Sequence, residues 1–270
     1  MGTTRLDAIG STSLFVAALR AKETLRPDRL VDDPFAARFL DAAGVAGVSA
    51  PGDVTRFVEL MADQVALRTR YLDDALLAAG CRQVVLVAAG MDSRAFRLPW
   101  PAGVEVFELD QPAVLSFKDE ALDGAEPRCV RHAVGVDLRE DWSTPLLDAG
   151  FRVDRPTAWL AEGLLYALTP WAADVLLETV GSLCEVGSMI AFDHIQMSDA
   201  MRRALLDADP GLVDLWQGGP TDPQTWLRQH DWRPRVEELA DTGRRRGRPV
   251  HPAYDPAADG AHSWLVTAAR

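Results

Sequence analysis

Cysteine is scarce in this chain. Cys81, Cys129 and Cys184 are widely spaced and odd in number, so they give neither a disulfide framework nor a zinc spacing. A reducing compartment and no metal are expected. Long apolar runs are missing as well, none approaching the roughly 20 residues that cross a bilayer. The first ten residues, MGTTRLDAIG, lack the apolar core of a signal peptide, which makes the cytoplasm the expected compartment. Positive charge is short: 28 Lys and Arg stand against 40 Asp and Glu, a net charge of −12. An acidic surface repels phosphate backbones and anionic headgroups, so neither nucleic acid nor membrane is an expected partner. The one basic run, Arg244, Arg245, Arg246 and Arg248, reads as a solvated helix end. No repeat and no low-complexity linker interrupts the chain.

What is present suits one globular domain. Hydrophobic residues make up 48% and charged residues 25% of 270 residues, enough for a single α/β core with added elements. Residues 11–79 read as helical. A first helix starts near Ser11, Thr12 and Ser13, with Leu14, Phe15, Ala18 and Leu19 on one face, and stops before Pro27. Asp33 and Pro34 form a cap and first-turn proline for a short helix through Leu40. Val54, Phe57, Val58, Met61, Val65, Leu72, Leu76 and Leu77 keep helical spacing until Gly80.

The texture then changes to short apolar runs at 84–88, 104–109, 128–135, 158–161, 188–193, 235–239 and 263–267. Helical stretches around 112–123, 145–149 and 170–184 alternate with them. The predicted fold is α/β: a Rossmann-like, doubly wound, mostly parallel seven-stranded sheet with helices on both faces. Residues 1–80 form an N-terminal helical cap of the same domain, and 81–270 the core. A helical insertion at about 197–232, rich in Trp216, Trp226 and Trp232, completes the cap. Those tryptophans suit core packing better than an aromatic pocket.

Open α/β sheets bind ligands beyond the carboxyl ends of their strands. After the first strand comes Ala88-Ala89-Gly90-Met91-Asp92-Ser93-Arg94. A full G-x-G-x-x-G is absent, so the glycine turn alone says little. Asp110, however, lies 20 residues after Gly90 at the end of the second strand. A carboxylate there accepts from both hydroxyls of a ribose, which favours an adenosine-type ligand. Asp137 and Leu138 follow the third strand, where a carboxylate accepts from an adenine amino group; a plain helix cap is the competing reading. Glu162 follows the fourth strand. It suits an ammonium or sulfonium group, and S-adenosylmethionine (SAM) carries both. Arg68 and Arg70, in the helix before the sheet, are of the type that binds a carboxylate in bidentate fashion.

These residues resemble the leucine carboxyl methyltransferase-like family, in its bacterial small-molecule branch. The resemblance runs through blocks at 29–36, 68–74, 85–98, 108–112, 137–139, 161–165 and 226–232, in matching order and spacing. It implies a class I fold, SAM as cofactor and S-adenosylhomocysteine as product. It also implies roles: Arg68 for the SAM carboxylate, Gly90 for the methionine part and Asp110 for the ribose, with the neighbouring Ala89 and Gln111 also counted as cofactor-binding. Asp137 and Leu138 would hold the adenine and Glu162 the amino group or reacting end. A further basic contact from the first helix is implied, with Arg20 and Lys22 both open. Tyr166 stands four residues after Glu162, where the family usually has its tyrosine five residues on, which weakens its substrate-positioning role.

The expected reaction is O-methylation of a carboxylate or hydroxyl of a small molecule, of aromatic or polyketide type and from secondary metabolism. His194, at the end of the fifth strand, is the candidate base for a hydroxyl, with Asp193 as its possible orienter. Three rivals stand beside this: a nicotinamide oxidoreductase, a non-catalytic SAM-binding protein, and methylation of a protein's C-terminal carboxyl. The sequence leaves monomer and homodimer open.

Overall fold

The computed structural model describes residues 8–44, 54–208 and 210–270. The first seven residues, and the core roles expected of the Val54 and Phe57 side chains, lie outside the described residues.

Three helices precede the sheet: α1 (Ala8–Thr24), α2 (Ala36–Ala42) and α3 (Val54–Ala78). α2 begins two residues later than expected: Phe35 is its N-cap and Pro34 lies in the preceding turn, where Asp33 Oδ1 accepts from the backbone N–H of Phe35 and Ala36 at 3.2 Å each. Gly80, at φ +65°, takes the left-handed turn that ends α3. The strands are β1 (Gln83–Val87), β2 (Glu105–Asp110), β3 (Val130–Gly135), β4 (Thr157–Ala161), β5 (Met189–Ile195), β6 (Arg233–Glu238) and β7 (Ser263–Ala269). Between them run α4 (Arg94–Arg97), α5 (Pro112–Ala121), α6 (Ser143–Asp148), α7 (Pro170–Ser182), α8 (Asp199–Ala208), α9 (Pro223–Gln229) and α10 (Leu239–Arg245).

The seven strands form one sheet in the order β3-β2-β1-β4-β5-β7-β6. All neighbouring pairs are parallel except those of β7, which runs against both β5 and β6. β1 and β4 are buried at every position, as central parallel strands covered on both faces must be. Alternation divides the core. Val85, Val87, Phe107 and Trp159 pack with Trp226 and Trp232 on one face, while Val84, Leu86 and Val106 meet Phe39, Leu72 and Phe96 on the other. Trp226 and Trp232 therefore serve the core.

The sequence reading placed a helix end at the basic run but missed the body of α10 and the turns at 252–258, which fill the β6–β7 connection. A seven-residue helix in a run of arginines, followed by prolines, has too little apolar periodicity to be read. The basic run is a helix end, but not a simply solvated one. Arg245 pairs with Glu237 at 2.5 Å, Arg246 with Asp74 at 3.2 Å, and the buried Arg248 with Glu23 at 2.5 Å.

Candidate active site

The first crossover point of the sheet lies between β1 and β4, where chain direction leaves a crevice at the strand tips. A hollow of about 220 Å³ opens there. Its floor is the β1 tip and the turn through Ala88, Ala89, Gly90, Met91 and Asp92; α1 contributes Ser13, Val16 and Arg20, and the chain after β4 contributes 162–168. A larger open groove of about 610 Å³ lies by α3, α8 and residues 251–258. It holds none of the expected site residues, so chemistry points to the smaller hollow.

The β1 turn is tight. Ala88 has φ +53° and Gly90 φ +45°, and a Cβ on Gly90 would come within 3.0 Å of Ser13 Cβ. A left-handed alanine at a ligand-facing turn is strain held by its surroundings. Asp110 does part of the holding: Oδ2 accepts from Gly90 N–H at 2.6 Å and Oδ1 from Gln111 N–H at 2.7 Å. These bonds fix the carboxylate at the β2 tip, where it lines the hollow.

Glu162 is the centre of a buried ionic network. Its Oε1 accepts from Arg20 at 2.8 Å and Arg68 at 2.9 Å, and its Oε2 from Arg94 at 2.6 Å. Arg68 also reaches Asp193 at 3.2 Å, and Arg94 reaches Asp73 at 2.7 Å and, more closely, Asp92. Burial alone would raise the Glu162 pKa, but Arg94, Arg20 and Arg68 outweigh it and hold the group well below the usual carboxylate range. Asp92 is lowered by the same contest, against Arg94, Arg20 and Lys118. For Asp193 burial wins over Arg68 and the pKa rises.

Of the residues expected from sequence, Arg68, Ala89, Gly90, Asp110, Glu162 and Tyr166 meet in this hollow. Of Arg20 and Lys22, Arg20 is buried, lines the hollow and is bonded to Glu162, whereas Lys22 is exposed. Arg70 points away and pairs with Asp74 at 3.0 Å. Gln111, Asp137 and Leu138 are not among the lining residues. Asp137 stands two residues past β3, beside the β2 tip, with its carboxylate turned to Arg139 at 2.5 Å, which lowers its pKa to about 2.

His194 requires a correction. Asp193 and His194 are successive residues of β5, so their side chains leave opposite faces of the sheet. Asp193 meets Arg68 by the hollow, while His194 stacks toward Trp264 under Gly219 and Pro220. Its imidazole is fully buried, makes no well-formed hydrogen bond, and is lowered by burial to about 4. It is not among the residues that line the hollow, and Asp193, on the opposite face, does not orient it. Tyr166 does face the hollow. The nearby Arg68 charge pulls its phenol down, yet burial outweighs it and pushes the group up to about 12, and its ring stacks on Trp216 at 4.5 Å.

Sequence reasoning gave no role to Ser13, Val16, Asp73, Asp92 or Arg94. Ser13, Val16 and Arg20 fall on one helical face, a readable signal. Nothing in the spacing of Asp73, Asp92 and Arg94 announces that they converge.

Residues 13–181 match the family model described as leucine carboxyl methyltransferase. The chain belongs to that family. Its members are SAM-dependent methyltransferases, which sets aside the nicotinamide reading. A protein of Parafrankia sp. (strain EAN1pec), assigned as an S-adenosyl-L-methionine-dependent methyltransferase, is 44% identical over 97% of this chain and 87% of its own length. A similarly assigned protein of Saccharopolyspora erythraea is 42% identical, over 98% of this chain and 96% of its own. Among solved structures, a Thermobifida fusca protein assigned as a methyltransferase superposes with a TM-score of 0.59. It covers 87% of this chain and 94% of its own at 17% identity, a likeness of fold alone. Among the described residues no helix is long and apolar enough to cross a membrane, and no group of three or more His, Cys, Asp or Glu is placed to hold a metal ion.

Proposed function

We propose that this family member transfers the methyl group of SAM to an oxygen of a small molecule, an aromatic or polyketide-type acid or acidic phenol, in the cytoplasm. One observation carries the reading: Gly90, Asp110, Glu162, Arg20 and Arg68 line a single hollow at the tips of β1, β2 and β4. The charged lining is two arginines, Arg20 and Arg68, and three carboxylates, Asp92, Asp110 and Glu162. That excess of one negative charge suits SAM, whose sulfonium, ammonium and carboxylate sum to one positive charge.

The residues fit that cofactor in kind. Asp110, steadied by Gly90 N–H, accepts from the ribose hydroxyls. Glu162, held ionised, receives the ammonium, and Arg68 with Arg20 receives the carboxylate. Asp137 and Leu138, at the adjoining tip, serve the adenine once Asp137 turns from Arg139. When bound, SAM supplies a methyl group on a sulfonium that displacement neutralises. The chain's task is then alignment of the acceptor oxygen behind the methyl carbon, worth up to roughly 7–11 kcal/mol in favourable cases.

The acceptor follows from what the lining does not titrate. Asp92 and Glu162 are held low and Tyr166 is pushed up to about 12, and His194 lies elsewhere. None of these side chains exchanges a proton near neutrality, so an alcohol finds no base among them. A carboxylate or an acidic phenol arrives already ionised. Val16, Leu164, Ala167, Leu168 and the Tyr166–Trp216 stack give its apolar body a wall.

Calorimetric titration with SAM, followed by labelled-methyl transfer over aromatic acids and phenols of graded acidity, tests this. SAM should bind, Asp110→Ala should weaken it about tenfold or more, and label should enter acids and acidic phenols. Undiminished affinity in Asp110→Ala, or label entering only unactivated alcohols, overturns the reading.

A further inference from the structure

Arg94 is the deepest charged group of the ionic network. Its side chain is 0% exposed and does not line the hollow, so it cannot touch a ligand there. It does hold the residue that can. Nε donates to Asp73 Oδ1 at 2.7 Å, and Nη1 donates to Asp92 Oδ2 and, at 2.6 Å, to Glu162 Oε2. Its backbone is fixed too, the N–H donating to Asp92 Oδ1 at 2.7 Å and the carbonyl accepting from Trp100 Nε1 at 2.8 Å. Held through Nε and Nη1, with Nη2 alone of its nitrogens unpaired among the described residues, and fixed at its backbone, the guanidinium is a rigid post.

The two oxygens of Glu162 are held differently. Oε1 is shared by Arg20 and Arg68, which line the hollow and can exchange partners with a ligand, and it accepts more distantly, at 3.4 Å, from the Thr69 hydroxyl. Among the described residues, Oε2 is bonded only to Arg94. A ligand carboxylate that recruits Arg20 and Arg68 draws them off Oε1 while the ligand's ammonium approaches the same carboxylate. Arg94, out of the ligand's reach, stays.

We propose that Arg94 is a positioning residue for the amino-acid end of the cofactor: it anchors Glu162 through Oε2, freeing Oε1 to turn from Arg20 and Arg68 to the ammonium. This rests on the hollow being the cofactor site. Asp73 takes part by fixing Arg94, since its carboxylate also binds Arg97 at 2.6 and 2.8 Å and thereby joins α3 to α4.

S-adenosylhomocysteine and 5′-methylthioadenosine decide the matter, because they share nucleoside and thioether and differ in the amino-acid end. Arg94→Lys keeps a cation near Asp73 and Asp92 but loses the fork that reaches Glu162. Calorimetry should show S-adenosylhomocysteine weakened about tenfold or more, the scale of one charge-assisted hydrogen bond, with methylthioadenosine within about twofold. Adding Arg94→Lys to Glu162→Gln should cost S-adenosylhomocysteine nothing further, as expected of two residues acting as one unit. Should the arginine variant fail to fold, Asp73→Asn loosens the same post and should give the same selective loss in smaller measure. Equal weakening of both ligands in a folded variant, or unchanged S-adenosylhomocysteine, overturns the positioning role. Wild-type protein that binds neither ligand overturns instead the cofactor reading beneath it.

Discussion

His194 is the position where a residue's sequence context and its structural surroundings part most clearly. A histidine at a strand tip beside the site looks like a base, but the two-residue period of β5 sends it to the other face. Its burial has a consequence for stability rather than catalysis. The folded imidazole titrates at about 4, against an ordinary 6.5. Between those values the unfolded chain binds the proton and the folded chain does not, so acidification through that window favours unfolding. Above 6.5 both states are neutral; below 4 both are protonated and the full cost is present, on the order of 3 kcal/mol. Urea midpoints at pH 7.5 and pH 5 should therefore fall with acid more in the wild type than in His194→Leu. The same variant should keep methyl transfer within about tenfold. Equal acid sensitivity would mean that the imidazole is not buried as described.

At the scale of elements, most of the sheet was legible because its strands are short apolar runs with turn residues at both ends. From their tips followed Gly90, Asp110 and Glu162, each placed by the strand before it. The ionic network was not legible, since Arg94 meets Asp73 and Glu162, and Arg68 meets Glu162 and Asp193, across long separations by side-chain direction alone. The strap at 217–220 was equally hidden. Gln217 and Gly219 donate to the carbonyls of Tyr166 and Leu168, each at 2.9 Å, and so brace one wall of the hollow from the 197–232 insertion. Gly219 is essential to that brace. It has φ +60°, and a Cβ on it would come within 2.5 Å of Leu165 O and 2.7 Å of His194 Cε1. Gly247, at φ +67°, has nothing within 4 Å of the same position. Gly247→Ala should cost about 1 kcal/mol, the left-handed penalty alone. Gly219→Ala should cost at least about 2 kcal/mol more, because backbone must move, and should also lower the transfer rate through Tyr166 and Leu168. Denaturation curves of the pair measure the difference, and equal costs would show that the strap does not press on the wall.

The whole molecule adds a field to this site. The chain carries −12 at pH 7, and the charged lining of the hollow is itself one carboxylate in excess. SAM, with one net positive charge, is drawn toward such a field, whereas an ionised acid or phenol is repelled. Both forces are screened by salt over a Debye length of about 10 Å at 0.1 M. The two ligands should therefore respond to salt with opposite signs on the same protein. From 50 to 500 mM sodium chloride, SAM affinity should fall by about two- to fivefold, and kcat/KM for an anionic acceptor at saturating SAM should rise by a similar factor. A neutral acceptor analogue of the same shape, measured by competition, should stay flat. A fall in kcat/KM for the anionic acceptor would show that it approaches through a locally positive mouth. The acceptor path would then lie beyond the acidic lining of the hollow, even with the cofactor's own place unchanged.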